Sequence, residues 1–255
     1  MKPGSERFSY DSIAAEYASK VDSAPYNALY ERPAMLSLLP SVEGERILDA
    51  GCGSGWYAEQ MVGRGALVDA VDASPAMADY ARQRLEHTAA AEAGRFTVQV
   101  SDLRDPLQFE DNRFSGALSA LVLHYLSDWR PALREIHRVL RPGGWLLFST
   151  HHPAADAAHF STHDYFRTEH VTDHWDWVGE VQFYRRSLTE IFASLRDSSF
   201  VIDTVAEPVP TPGFMAAEPE AGERLMRQPE FLAVLARKSL PGAESSVSSS
   251  SARSP

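Results

Sequence analysis

The sequence has very little cysteine and no cluster of positive charge. Cys52 is the only cysteine among 255 residues, so no disulfide can form within the chain, and a reducing compartment is expected. Acidic residues outnumber Lys and Arg by 35 to 24, which gives a net charge of −11. Because no run of Lys or Arg is present, a nucleic-acid partner is not expected. A small-molecule substrate fits the composition better.

Long apolar segments are also missing. No run approaches the ~20 residues that a membrane span requires, and residues 1–12 lack the apolar core of a secretory signal. The sequence therefore predicts a cytoplasmic protein without a membrane partner. With 44% hydrophobic residues, the chain can still build the core of one large α/β domain.

Short apolar segments alternate with helical ones through the first 150 residues. The pattern predicts strands at 46–50, 66–71, 96–100, 114–121 and 145–150, the last introduced by a turn at 141–144. Helices are predicted at 56–64, 75–87 and 131–140. Two further strands are predicted at 200–205 and 231–236. Alternation of this kind is typical of a parallel sheet with helices on both faces.

The flanking segments differ from this pattern. Residues 1–42 show helical spacing and are predicted to form a lid. Residues 151–186 are rich in His and Trp and too long for an ordinary connection, so we expect a cap over a substrate pocket. Ser187 and Glu190 form a capping-box pair that begins a helix. The domain is predicted to span residues 1–240, and the serine-rich residues 241–255 to be a disordered tail.

A glycine loop follows the first predicted strand. Ile47 to Ala50 are followed by three alternating glycines, Gly51, Gly53 and Gly55, and then by a helix. Glycine allows a tight turn and a close approach of backbone N–H groups to a ligand. The order of strand, loop and helix is typical of a nucleotide-type cofactor site.

Three acidic residues lie at the ends of predicted strands. Asp72 can accept both ribose hydroxyl hydrogens, and Asp102 can accept from an adenine amino group. Asp49 either pins the glycine loop or meets a cofactor amino group. Each acid alone could equally be a solvated carboxylate or a helix cap, but ligands bind at the carboxyl edge of such sheets, where all three would converge.

The glycines alone leave a second cofactor open. A dinucleotide fingerprint can be fitted to Gly53, Gly55 and Ala58, which would indicate a nicotinamide-dependent oxidoreductase. Two features argue against it: the helical segment before the first strand, and the irregular aromatic segment where a second βαβ half would be needed.

Five motifs together resemble those of the class I S-adenosylmethionine (SAM)-dependent methyltransferases, especially the small-molecule subgroup of ubiquinone- and menaquinone-type enzymes. They are residues 47–55, Asp72, the pair Ser101 and Asp102, residues 117–128, and residues 140–144. The segment at 10–17 resembles the lid of that subgroup. The resemblance implies a Rossmann-like, seven-stranded sheet whose last strand is antiparallel. It also implies SAM as cofactor.

The resemblance also implies which residues hold SAM. The glycines would contact its methionine end, Asp72 its ribose and Asp102 its adenine, while the pocket floor lies near the sulfonium and a lid tyrosine closes over it. The predicted cofactor-binding residues are Tyr17, Asp49, Gly51, Gly53, Gly55, Asp72, Ala73, Asp102, Leu103, Ala120 and Leu121. Cys52 is predicted to be a small filler rather than a nucleophile.

Methyl transfer is an in-line displacement, so positioning and exclusion of water do much of the work. A base is needed only if the acceptor loses a proton. His124, just past the fourth strand, is the candidate base because histidine titrates near neutrality. The alternative is a histidine of the pocket wall or of a helix cap.

The acceptor pocket is predicted from the polar and aromatic residues of the lid and the cap. These residues are Tyr10, Tyr26, His151, His152, Tyr165, Tyr184 and Arg185. Their aromatic character favours a small apolar or aromatic acceptor, with oxygen, nitrogen and carbon all open. The histidine spacings match no compact metal-ligand set, so no metal is predicted. A homodimer through the lid helices and a non-catalytic SAM-binding partner subunit both stay open.

Overall fold

The computed structural model describes residues 14–88, 94–175 and 178–239. Its strands are β1 Arg46–Ala50, β2 Leu67–Asp72, β3 Phe96–Val100, β4 Phe114–Ala120, β5 Leu140–His151, β6 Glu169–Trp175, β7 Gly179–Arg185, β8 Phe200–Ala206 and β9 Phe231–Lys238. Its α-helices are α1 Ala14–Lys20, α2 Arg32–Leu38, α3 Trp56–Gly63, α4 Pro75–Glu86, α5 Arg130–Val139, α6 Pro153–His159, α7 Leu188–Arg196, α8 Pro212–Ala217 and α9 Pro219–Leu225.

Seven strands form one sheet in the order β3-β2-β1-β4-β5-β9-β8. The first five strands are parallel, and β9 is antiparallel to both β5 and β8. The predicted sheet and its antiparallel last strand are therefore confirmed. Because β1 to β4 run in the same direction, the loops that follow them meet at one edge of the sheet.

Apolar side chains cover both faces of the sheet. On one face, α5 and α7 pack Leu133, Ile136 and Ile191 against Phe148 of β5. On the other face, Met35 of α2 and Met61 of α3 pack against fully buried side chains of the strands. Burial on both faces explains why these strands have nearly continuous apolar sequences.

Local signals set several element ends. Ser74 caps α4 by accepting a hydrogen bond from the Met77 N–H (3.2 Å), with Pro75 in the first turn. Ser187 caps α7 by accepting from the Glu190 N–H (3.2 Å), as the capping box predicted. The predicted turn at 141–144 was wrong: β5 begins at Leu140, and these residues form an irregularity in its pairing with β4.

The segment after β5 is more regular than its sequence suggested. After α6 it forms a two-stranded hairpin in which β6 and β7 are antiparallel. Its inward face, including Val181 and Phe183, packs with Tyr17 of α1 and with Tyr125. The interpretation of this segment as irregular was wrong because its many histidines and aromatics obscure the period-two alternation. No helix among the described residues is long and apolar enough to cross a bilayer.

Candidate functional site

A cavity of about 730 Å³ opens at the carboxyl edge of the parallel strands. Its lining comes from the loops after β1, β2, β3 and β4, from the N-terminal helices and from the β6–β7 hairpin. A volume of this size is typical of pockets that hold a cofactor-sized ligand. The sheet edge predicted from the sequence is therefore where the hollow lies.

The glycine loop needs glycine for two separate reasons. Gly51, Gly53 and Gly55 all have φ between +52° and +84°, a region that disfavours side chains. A Cβ on Gly51 would collide with the side chain of Val122, and one on Gly55 would lie 2.9 Å from the Ala81 Cα. Gly51 and Gly53 line the cavity, whereas Gly55 serves the packing of α3 against α4.

Asp72 connects the end of β2 to this loop. Its Oδ2 accepts a hydrogen bond from the Gly53 N–H (2.8 Å), and its Oδ1 accepts from the Ser74 N–H (2.9 Å). The backbone therefore fixes the orientation of the carboxylate, which borders the cavity together with Ala73. A carboxylate held in this way suits the recognition of paired hydroxyl groups.

Asp102 lies on the same cavity, at the end of β3 and beside Leu103. Its carboxylate accepts from the Arg104 backbone N–H (2.9 Å) and Nε (2.8 Å) and pairs with Nη2. Asp72 and Asp102 thus face one hollow, as their positions after adjacent strands predicted. Arg104 also lines it, although no sequence motif predicted that position.

Asp49 lies behind the loop rather than in the cavity. It is 1% exposed and accepts a hydrogen bond from the Ala58 backbone N–H at the start of α3. Burial, with a smaller effect from the charge of Asp72, raises the pKa of Asp49 to about 7. Of its two predicted uses, this placement favours pinning the loop.

The floor of the cavity contains a strained residue. Leu121, directly after β4, has φ +54°, which is unusual for a residue with a side chain. Its N–H donates to the backbone oxygen and to the Oγ of Ser149, both at 3.1 Å. Together with Ala120 it lines the cavity at the position that the sequence predicted.

Comparison with known proteins identifies the family. A methyltransferase domain family matches residues 48–148. A SAM-dependent methyltransferase of Mesorhizobium loti is 32% identical, with a TM-score of 0.66 over 85% of this chain and 99% of that one. A putative SAM-dependent methyltransferase of Listeria monocytogenes is 26% identical, with a TM-score of 0.70 over 82% and 96%.

The chain belongs to the class I SAM-dependent methyltransferases. It is also 32% identical over 153 residues to a malonyl-[acyl-carrier protein] O-methyltransferase of Serratia marcescens, over 59% of this chain and 56% of that one. The methyltransferase thus spans about half the length of that curated relative. The family membership argues against the nicotinamide alternative that the glycines left open.

The residues of the cavity fit SAM chemically. The carboxylate of Asp72 is oriented by two backbone donors, and one donor of Arg32, its Nη1, is buried without a hydrogen-bond partner among the described residues. Arg32 and its neighbour Glu31 both line the cavity. Neither residue was predicted from the sequence, because both lie in a helical segment without a recognisable motif.

The predicted base, His124, is not among the residues that line the cavity. It is 2% exposed, and its ring stacks on that of His151 at 4.3 Å and contacts Phe183 at 5.6 Å. Burial lowers its pKa well below the usual value. The predicted position at the pocket was therefore wrong, since the turn at Leu123–Tyr125 directs His124 beneath the hairpin.

Most of the predicted acceptor-pocket residues also lie elsewhere. His151 is buried against His124, and His152 lies 2.9 Å from Glu207 and caps α6. Arg185 is 2% exposed and pairs with Glu169, which lies opposite it on β6 of the hairpin. None of these three residues lines the cavity.

The predicted tyrosines divide between the cavity and the core. Tyr184 lines the cavity, whereas Tyr26 packs edge-on against Phe214 at 5.2 Å. The Tyr165 hydroxyl accepts from the Leu188 N–H (3.1 Å). Tyr10 lies outside the described residues. Within the described part of the chain, no three His, Cys, Asp or Glu side chains come close enough to hold a metal ion.

Proposed function

We propose that this methyltransferase transfers the methyl group of SAM to the oxygen of a small metabolite with an apolar or aromatic body. The observation that carries the proposal is the wall of the cavity beyond its floor, which is formed by Val122, Tyr125, Leu126 and Tyr184. Such a wall buries an apolar ring or chain, and its tyrosine hydroxyls can orient a polar group. An oxygen acceptor is supported by the O-methyltransferase named among the relatives.

In this proposal the cofactor lies along the loops that end β1 to β4. Asp72 and Ala73 hold the ribose, Asp102 and Leu103 the adenine, and Gly51 and Gly53 the methionine end. Ala120 and Leu121 form the floor next to the methyl group. All of these residues border the same cavity. Asp49 and Gly55 shape the loop from behind, since neither lines the cavity.

SAM supplies an electrophilic methyl group, and the chain supplies position and shelter. Tyr17 of α1 lines the cavity and packs against the cluster of Val178, Val181 and Phe183 in the hairpin segment. The contact between α1 and the hairpin at the cavity supports the proposed roles of residues 1–42 as a lid and of residues 151–186 as a cap. A sheltered site strengthens the effect of fixed dipoles and excludes water as a competing acceptor.

If the acceptor hydroxyl must lose a proton, the hairpin offers a base. His170 lies on β6 and is the one histidine, among the described residues, that lines the cavity. Its ring lies 4.8 Å from that of Tyr184, the partner residue on β7. We infer that His170, rather than His124, is the histidine that an acceptor can reach.

The test is a measurement of S-adenosylhomocysteine (SAH) formation with a library of phenols, hydroxylated aromatic acids, apolar carboxylic acids and amines. Turnover should appear among apolar or aromatic hydroxyl compounds and should fall at least about 10-fold in His170→Ala. Turnover confined to amines or to strongly charged acceptors would contradict the proposed acceptor class. Full turnover in His170→Ala with abolished turnover in His124→Ala would restore His124 as the base.

A further inference from the structure

One end of the cavity carries two opposite charges on adjacent residues. Glu31 ends a π-helix at Asn27–Glu31, and Arg32 begins α2. They are 2% and 5% exposed, and both line the cavity. Turns of π-helix are rare and occur often at functional sites. A buried carboxylate and a buried guanidinium therefore share one wall.

Two contacts hold the guanidinium of Arg32, but one of its nitrogen donors has no hydrogen-bond partner among the described residues. Its Nη2 donates to Asp22 (2.9 Å), and its Cζ lies 4.2 Å from the centroid of the Trp56 ring. Its Nη1 is buried and, among the described residues, has no hydrogen-bond partner. Because an unsatisfied buried donor is costly, a donor left in this position at a cavity wall points to an anionic ligand.

Hydrogen bonds likewise fix the carboxylate of Glu31, but it can accept further ones. Its Oε2 accepts from the Tyr57 hydroxyl (2.7 Å), and its Oε1 accepts from the Ser149 hydroxyl (2.5 Å). A carboxylate has about four lone-pair sites, so further donors can bind. Burial raises the pKa of Glu31, and a cation beside it would favour the charged form.

We propose that Glu31 and Arg32 bind the two charged groups at the amino-acid end of SAM. Glu31 accepts hydrogen bonds from the α-ammonium group, and the Nη1 of Arg32 donates to the α-carboxylate. The inference rests on the proposed position of the cofactor, because Trp56 and Tyr57 connect both residues to the helix that follows the glycine loop. Asp49, for which the amino group was one of two predicted contacts, lies behind that loop and does not line the cavity.

The experiment is isothermal calorimetry with three ligands. SAH carries both charged groups, decarboxylated SAH carries the ammonium group alone, and 5′-methylthioadenosine carries neither. The wild-type protein should bind them in that order. Glu31→Gln should weaken binding of SAH and of decarboxylated SAH by about 10- to 100-fold, and Arg32→Met should weaken SAH alone by a similar factor. Neither variant should change the affinity for 5′-methylthioadenosine by more than about 2-fold.

Arg84→Met is the matched control. Arg84 donates to the same Asp22 (2.5 Å) but does not line the cavity, so SAH affinity should stay within about 2-fold. An unchanged ratio of SAH to methylthioadenosine affinity in either test variant would overturn the inference, as would equal losses for all three ligands in Arg32→Met. The proposed cofactor position fails instead if the wild-type protein does not bind methylthioadenosine, or if Asp72→Asn does not weaken the binding of SAH.

Discussion

Strand β2 carries two aspartates whose surroundings differ completely. Asp69 is 1% exposed. Its carboxylate accepts hydrogen bonds from Arg46 Nη1 (3.0 Å), Arg113 Nε (3.0 Å) and the Thr97 hydroxyl (2.7 Å). Asp72, three residues later, accepts hydrogen bonds from two backbone N–H groups and borders the cavity. The protein's own cations surround the first carboxylate, whereas the second is oriented toward a hollow. Asp69 thus has its partners within the sheet, whereas Asp72 lies at the cavity where the proposed cofactor would bind.

Removing the charge of Asp72 should change ligand affinity more than it changes stability. Asp72→Asn should lower the affinity for SAH by about 100-fold, since hydrogen bonds to a charged acceptor contribute most to ribose recognition. The midpoint of urea unfolding should change little, because the amide can still accept from one backbone N–H. Calorimetry and urea titration check the two expectations, and a large loss of stability with intact binding would reverse the assignment.

Asp69→Asn should show the opposite profile. Replacing the carboxylate leaves two guanidinium groups without their partner, which costs about 3 kcal/mol, the lower end for a broken buried pair, because both arginines are about one-third exposed. The affinity for SAH should stay within about 2-fold. The measurement is urea unfolding at neutral pH, and a strong loss of SAH binding in the folded variant would show that the two ends of β2 are coupled.

The sequence predicted the sheet, and most of the residues it proposed for the cofactor line the cavity, because their signals are local. A strand end, a glycine and an acid lie within a few residues of each other, as in β1 and its loop. Glu31 and Arg32 escaped prediction because only the folded chain brings a helix some 20 residues upstream against Tyr57 and Ser149. His124 was misplaced for a related reason: the end of β4 could be predicted, but not the direction set by the strained Leu121 and the following turn.

A third aspartate, Asp49, should make the stability of the protein depend on pH. Burial raises the pKa of Asp49 to about 7 from an ordinary value near 4, so the folded state binds a proton that the unfolded state releases. This contribution to stability is complete below pH 4 and is lost as pH rises through about 7. Asp49→Asn should therefore match the wild type only below pH 4, and its advantage in stability should grow by about 3 kcal/mol between pH 5 and pH 8.5. Urea titrations at both pH values measure the free energy of unfolding. A variant that is less stable than the wild type at pH 8.5 would contradict the expectation.

The buried histidines give a smaller effect of opposite sign. Burial lowers the pKa of His124 and brings that of His151 to about 4, so the unfolded state binds more protons below pH 6.5. Stability from this pair is present above pH 6.5 and is lost as pH falls toward 4. His124→Leu should reduce that acid sensitivity and change stability at pH 7.5 by no more than about 1 kcal/mol, because both ring nitrogens lack partners among the described residues. If stability falls between pH 6.5 and 4.5 as steeply in His124→Leu as in the wild type, His124 does not cause the acid sensitivity.

Cys52 should show the smallest effect, although it lies between two glycines that line the site. It is 9% exposed, and burial, with the charges of Asp49 and Asp72, raises the pKa of its thiol well above the usual value. The thiol therefore stays protonated at neutral pH, which makes it a poor nucleophile. Cys52→Ala should cost less than about 1 kcal/mol and should leave the SAH affinity within about 2-fold. Loss of methyl transfer in a variant that still binds SAH would show that the thiol acts in the reaction and that this edge of the sheet holds a functional group beyond its acids.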